Sequence, residues 1–438
     1  MEQQNEQGKG AGRSGTPRHH SPTTAMLLSI IPGLGQVYNR RYIKGLLLFI
    51  VGASFLGVFS DFLNIGYWGI VTLGTLEGVD DSRSLLIRGI ISIILTAFAV
   101  TFYVLNLMDA RREAVKIQNG WRITSLREGF TTAWNNSFPY VLVTPALFMI
   151  IFVLVLPLLF MISLAFTNYN IYNSPPRFLL SWVGFQNFID VFSVPIWRKT
   201  FFSVLSWTVI WTLVATTLQI GLALFLAVIV NDKRVRFKKF IRTFLILPWA
   251  VPGFVSILTF AGMFNDQFGA VNNLLLAPFG IHIPWMTDSM WTKVAIIFVE
   301  VWLGFAFVFA LFTGVLQSVS GDWYEAAEVD GANKWQKFRF ITLPHVLFAT
   351  APLLIIQYTG NFNNFNLIYL FNQGGPPVRG QSAGSTDIVI SWVYKLTFDT
   401  MNYNMAAVIS IMLGIVVAGF AFIQFRRTRS FKEGGDSR

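Results

Sequence analysis

The sequence predicts an all-α, polytopic membrane protein with about eight transmembrane helices. Apolar residues make up 54% of the chain and charged residues 13%, whereas soluble domains carry about a quarter charged residues. Apolar runs at 45–60, 85–107, 140–166, 201–230, 240–264, 291–317, 346–371 and 405–425 suit a hydrocarbon layer of roughly 30 Å, the first being the shortest. Lipid offers the backbone no hydrogen-bond partner, and none of the runs alternates with period two, so they read as helices and not as barrel strands.

Taken in order, residues 1–22 are polar and glycine-rich and read as a disordered tail, with no apolar core of a cleavable signal. Residues 23–44 are apolar but broken by Pro32, Gly33 and Gly35, which suggests an interfacial or re-entrant segment. Together with the first two spans and a basic linker this forms an N-terminal appendage, 23–137. The six later spans form a second domain, 138–425, followed by a basic tail, 426–438. Pro145, Pro157, Pro248, Pro252 and Pro352 interrupt helices in the second domain, most densely at Leu247-Pro248-Trp249-Ala250-Val251-Pro252.

The net charge of +11 reflects membrane orientation and not nucleic-acid binding. Arg40, Arg41 and Lys44; Arg111, Arg112, Lys116, Arg122 and Arg127; Lys233 to Arg242; Lys334, Lys337 and Arg339; and Arg426 to Lys432 fall on alternate connections. The positive-inside rule places these, and both termini, in the cytoplasm, with the chain in the cell membrane. There is no cysteine, the histidines lack ligand spacing, and no P-loop is written, so neither a metal site nor ATP hydrolysis is expected of this chain.

Between spans six and seven stands a polar, small-residue loop, about 321–344. Asp322 is expected to cap a short helix in which Ala326 and Ala327 admit close approach, Gly331 permits a turn, and Trp335 to Phe340 form a second short helix. Pro344 suits the first turn of the next span.

Span seven carries Gln357, Tyr358, Asn361, Asn363 and Asn364, amides that are costly in lipid unless hydrogen-bonded. Gln357, Asn361 and Asn364 share one helical face and offer donors and acceptors together, as neutral sugar hydroxyls require. Tyr358, Phe362, Phe365, Phe305 and Phe307 are candidates to stack on a sugar ring. The competing reading is interhelical amide bonding. Glu300 reads as a lone carboxylate near the external end of span six, ordinarily solvated at the interface.

The spacing E-A-A-x3-G-x9-I-x-L-P, from Glu325 to Pro344, resembles the coupling loop of ABC importer membrane subunits. Leu164 to Tyr169 with Val183 to Phe188, Leu247 to Pro252, and Asn361-Phe362-Asn363-Asn364-Phe365 with Gly374-Gly375-Pro376 resemble the maltose/maltodextrin permease family, the MalF type. The resemblance implies a type I ABC importer permease fold and ATPase coupling through Glu325, Ala326, Ala327, Asp330, Gly331, Ile341, Leu343 and Pro344. It nominates Leu303, Gly304, Phe307, Gln357, Gly360, Asn361 and Asn364 as sugar contacts beside Tyr358. Phe307, Gln357 and Gly360 depart from the tyrosine, serine and phenylalanine familiar in relatives.

It further implies a second, MalG-type permease and a cytoplasmic ATPase dimer that holds the ATP and magnesium, with no cofactor on this chain. The missing large external insertion resembles the short-loop Gram-positive form, whose sugar-binding protein is lipid-anchored. The cargo implied is a maltodextrin-type oligosaccharide, the alternative a galacto- or xylo-oligosaccharide. A membrane enzyme would need a carboxylate pair or metal cluster, and an ion-coupled transporter several intramembrane carboxylates.

Overall fold

The computed structural model describes residues 20–121, 126–232 and 234–427. The predicted disordered tail up to residue 19, Arg122, Lys233 and the basic tail from residue 428 lie outside the described residues. Among those described there is no β-strand, only bridges at Thr167–Trp182 and Pro377–Gly384. The helices pack as two compact units, Met1–Gly184 and Phe185–Arg438. This division by packing falls inside the 138–425 segment that the sequence groups as one domain.

In the first unit, the segment expected to be interfacial or re-entrant forms two short helices, α1 (Pro22–Leu28) and α2 (Leu34–Tyr38). Ser21 caps α1 by accepting from the Thr24 amide at 3.3 Å. Gly33 sits at φ +91°, and a Cβ there would stand 2.0 Å from the Gly45 carbonyl, so the hairpin closes tightly onto the next helix. Its polar residues face inward. Gln36 donates to the Asn106 carbonyl at 3.2 Å and Asn39 to the Ala110 carbonyl at 2.8 Å, while Leu27, Ile30 and Ile31 lie exposed. Polar-in and apolar-out is the arrangement of a segment at a lipid surface.

Helix α3 (Tyr42–Thr72) has 31 residues, so the span predicted as the shortest is a full crossing. It packs on α4 (Ser82–Gln118) through small residues; a Cβ at Gly66 would stand 2.0 Å from the Ser92 hydroxyl. Then come α5 (Leu126–Ile150), a π-turn (Ile151–Val155) and α6 (Leu156–Leu164). The widened turn precedes Pro157, where the ring would otherwise clash with the preceding turn and a ladder bond is missing.

The second unit comprises α7 (Gln186–Ser193), α8 (Pro195–Asn231), α9 (Lys238–Ala250), α10 (Gly253–Met263), α11 (Ser289–Ser318), α12 (Gly321–Val329), α13 (Lys334–Lys337), α14 (Leu343–Phe362), α15 (Phe365–Asn372), α16 (Val389–Phe398) and α17 (Tyr403–Arg427). Span five is not one rod, since α9 and α10 meet at 88°. Val251 is extended at the break (φ −87°, ψ 130°), as a residue before proline prefers, and Pro252 has no amide to continue the ladder.

Among the described residues six helices are long and apolar enough to cross a membrane, or seven if the bent pair is one span. Helix α17, at the eighth predicted span, is apolar over Tyr403–Gly419. Two apolar clusters hold the second unit together. One gathers Trp207, Trp211, Phe264, Trp285 and Phe371, the other Phe305, Phe309, Phe312, Ala223 and Val346. Phe305 is thereby buried in the core, and Phe307, half-buried, packs against the same cluster.

Candidate functional site

The amides of span seven meet at one side chain that sequence reasoning overlooked, Gln219 on α8. Its Oε1 accepts from Gln357 Nε2 at 3.2 Å and from Asn361 Nδ2 at 3.3 Å. Asn361 also donates to Thr216 Oγ1 at 2.8 Å, and its own carbonyl accepts from Trp211 Nε1 at 2.9 Å. Gln219 Nε2 in turn reaches Glu300 Oε1 at 3.5 Å. The signal was legible on α8, where Thr208, Thr212, Thr216 and Gln219 form a polar stripe at helical spacing and are all buried.

Glu300 is not at a solvated span end. It lies well inside the 30-residue α11, is 4% exposed, and accepts from Asn364 Nδ2 at 2.7 Å. Its burial comes from the helices packed around it, with Asn364 and Gln219 both directed at its carboxylate. Asn364 is also a helix cap, since its Oδ1 accepts from the Leu367 amide at 3.3 Å and closes the first turn of α15. Span seven therefore breaks at Asn363 and resumes at Phe365, and the polar cluster sits at that discontinuity.

The other nominated residues surround it. Gly304 has no side chain because Gln219 occupies the space: a Cβ there would stand 1.1 Å from Gln219 Nε2. Leu303 packs half-buried against the tryptophan cluster, and Phe307 lies 5.8 Å from Trp249. Tyr358 shares a hydrogen bond of 2.8 Å with Thr217. Gly360 borders open space, with nothing within 4 Å of a Cβ. The structure thus brings Gly304, Gln357, Asn361 and Asn364 together around Gln219 and Glu300, with Leu303, Phe307, Tyr358 and Gly360 on the periphery.

The second constellation is the loop after α11. Ser320, not Asp322, is the cap: its hydroxyl accepts from the Asp322 amide at 3.2 Å, and Asp322 occupies the first helical turn, where its charge suits the dipole. Glu325, Ala326 and Ala327 lie on α12. Asp330 ends it, and Gly331 turns the chain at φ +76°. Asn333 and Gln336 form a capping box for α13, through bonds of 2.8 and 2.9 Å. Lys337 on α13 and Glu328 on α12 pair at 2.5 Å.

The expected free-standing second helix is instead joined to the span. From α13 the chain passes through a π-turn, Phe338–Thr342, that carries Ile341, and Leu343 and Pro344 open α14. Lys334–Asn372 makes up a 39-residue candidate span that includes the break at Asn363. Val329, Trp335 and Phe340 are exposed at 88%, 65% and 69%, leaving an apolar surface on this loop.

At the opposite end of the second unit, Asp387 is buried and accepts from the Gly384 amide (2.7 Å), Ser391 (2.8 Å) and Lys395 (2.6 Å). Burial pushes its carboxyl above the usual carboxylate range, against the opposing pull of Lys395. Beside it opens a cavity of about 970 Å³ lined by Thr287, Gln373, Arg379, Lys395 and Asp399, among others. No group of His, Asp or Glu suited to a metal is found among the described residues.

Residues 219–430 match the family described as binding-protein-dependent transport system inner membrane component. The chain is 54% identical over 410 residues to the galactooligosaccharides transport system permease protein GanP of Bacillus subtilis (strain 168), covering 93% of this chain and 98% of that one. It is 44% identical over 428 residues to the maltodextrin transport system permease protein MdxF of the same organism, covering 94% and 98%. A crystal structure of a bacterial ABC transporter involved in import of the acidic polysaccharide alginate shares the fold, with a TM-score of 0.55 at 22% identity over 68% of this chain and 99% of that one.

Proposed function

The chain belongs to the binding-protein-dependent transport system inner membrane component family, as a membrane subunit of a carbohydrate ABC importer, and on that premise we propose that neutral oligosaccharide passes through the polar cluster around Gln219. The supporting observation is that four side-chain amides and a carboxylate, from three spans, converge at the break in span seven. Each donor there is already hydrogen-bonded, so a sugar hydroxyl replaces one partner with another. Such an exchange has a small net cost, whereas an unpaired amide in this place would cost about 1–3 kcal/mol.

The subunit itself makes no covalent bonds. ATP and magnesium belong to a separate cytoplasmic ATPase dimer, which docks on the loop between Glu325 and Pro344 through exposed Val329, Trp335 and Phe340. Both termini and this loop face the cytoplasm. A second, MalG-type permease completes the pathway, and a lipid-anchored binding protein delivers sugar outside. Closure of the ATPase moves α12 and α13 together, because Lys337 ties them, and the motion passes up span seven to Asn361 and Asn364. Alternating access then follows from a shift between two packings.

The cargo read here is a maltodextrin-type chain, as for the 44% identical permease. The 54% identical relative named for galactooligosaccharides favours a second reading, a galacto-oligosaccharide. The test is the ATPase rate of the assembled complex with its binding protein in nanodiscs, against both sugar series. Stimulation by either series that is lost in Asn361→Ala supports the site, and the better series identifies the cargo. No sugar response in an active complex, or full stimulation in Asn361→Ala, overturns it.

A further inference from the structure

We propose that one face of α3, built from Ser54, Gly57, Asp61, Asn64 and Trp68, seats a transmembrane helix of the second permease that presents a cationic side chain to Asp61; this rests on the two-permease reading above. Helix α3 carries two seams. Gly45 and Gly52 stand against Gly33 and Pro32 of the hairpin, and Gly66 against Ser92 of α4, so this seam is occupied within the first unit. On the nearly opposite side, Ser54, Asp61 and Trp68 recur every seven residues, with Gly57 and Asn64 between them. All five are exposed, and a Cβ at Gly57 would meet nothing within 4 Å.

Small and polar residues at alternating three- and four-residue steps suit a helix contact and not a lipid face. Asp61 decides between them. Thirty-one residues rise about 46 Å, against roughly 30 Å of hydrocarbon. With the excess shared between both ends, Asp61 lies about 8 Å inside that layer. A carboxylate there is costly unless paired, yet neither Asp61 nor Asn64 has a hydrogen-bond or ion-pair partner among the described residues. Arg88 on α4 lies instead over the Phe62 ring, 4.7 Å from its centroid. An ionised carboxylate only accepts, so the occupant brings Lys or Arg level with Asp61. A second copy of this chain about a two-fold axis would set Asp61 against Asp61. The ATPase stays outside the membrane and a lipid-anchored binding protein has no side chain at this depth, which leaves the second permease.

The test uses the whole transporter in membranes, with a photo-reactive aromatic residue in place of an aromatic one. Trp68→p-benzoylphenylalanine, on the seam, is expected to crosslink to a membrane helix of the second permease, identified by mass spectrometry of the joined peptides. Phe49→p-benzoylphenylalanine, exposed and about a quarter turn off the seam, is expected to crosslink to lipid. Asp61→Leu is expected to lower the amount of second permease retained on the chain in detergent about 3-fold or more, the scale of one interhelical hydrogen bond, and Asp61→Asn to keep most of it. Asp61 is exposed, so its replacement tests the contact apart from the folding of the first unit. Crosslinks from Trp68 to lipid or to this chain alone, or equal retention in Asp61→Leu and the unaltered chain, overturn the proposal. If the unaltered chain retains the second permease while Trp68 reaches only lipid, the seam falls and the two-permease reading stands; if the unaltered chain retains none, both fall.

Discussion

The Gln219 amide lies against the bare α-carbon of Gly304, so close that a Cβ at 304 would stand 1.1 Å from Nε2. One helix lacks a side chain so that its neighbour can place a polar one between them. Gly304→Ala is therefore expected to push Gln219 away from Gln357 and Asn361 and to destabilise the subunit by about 1–3 kcal/mol, the scale of overpacking. Gly314→Ala, also on α11 and with nothing within 4 Å of a Cβ, serves as the matched control. Thermal unfolding in detergent, with sugar-stimulated ATPase of the assembled complex, separates the two.

Gln219→Leu removes the acceptor shared by two amide donors. Each donor left unpaired costs about 1–3 kcal/mol. Gln219→Asn keeps an amide on a shorter stem, sets no second carboxylate against Glu300, and is expected to retain more of the stability. Melting temperatures of the two variants that coincide would show that Gln219 is not the hub.

Gly331 turns the chain at φ +76°, a conformation other residues adopt only under strain. Gly331→Asp is expected to leave the protein inserted while abolishing uptake and weakening ATPase co-purification. Unchanged uptake with unchanged co-purification would separate this turn from coupling.

Asp387 and Lys395 form a buried pair, and removing one partner of such a pair costs about 3–5 kcal/mol. In Lys395→Met the carboxyl keeps its burial and loses its counter-charge, so its folded-state pKa is raised further above the unfolded value. A group so raised binds its proton more tightly when folded, and stability is lost as pH rises through the folded pKa. The variant's melting temperature is expected to increase as pH is lowered from about 7 to 5. A flat or opposite dependence would contradict the assignment.

Much of this architecture was legible from local chemistry. Pro252 announced the bend of span five, Gly331 announced its turn, and Gln357 and Asn361 share a face of span seven, whereas Asn364 reaches the same cluster from beyond the break. What lay beyond reach was register between helices. That Glu300 faces Asn364, and that Gln219 stands opposite Gly304, depends on how α8, α11 and span seven slide and rotate against one another. No single-helix pattern encodes that. The cap at Ser320 was missed for a smaller reason, since Ser320 and Asp322 are both good caps two residues apart and only the backbone chooses.

The unbroken connection from Lys334 to Phe362 has a consequence for how such a sequence can drift. At about 1.5 Å and 100° per residue, Gln357 and Asn361 lie some 30–36 Å from Lys337 along a helix whose rotation is set at the far end. Adding or deleting one residue between them would turn the polar face about a quarter of a circle away from Gln219 while leaving every residue type intact. This stretch can change its letters but not its count.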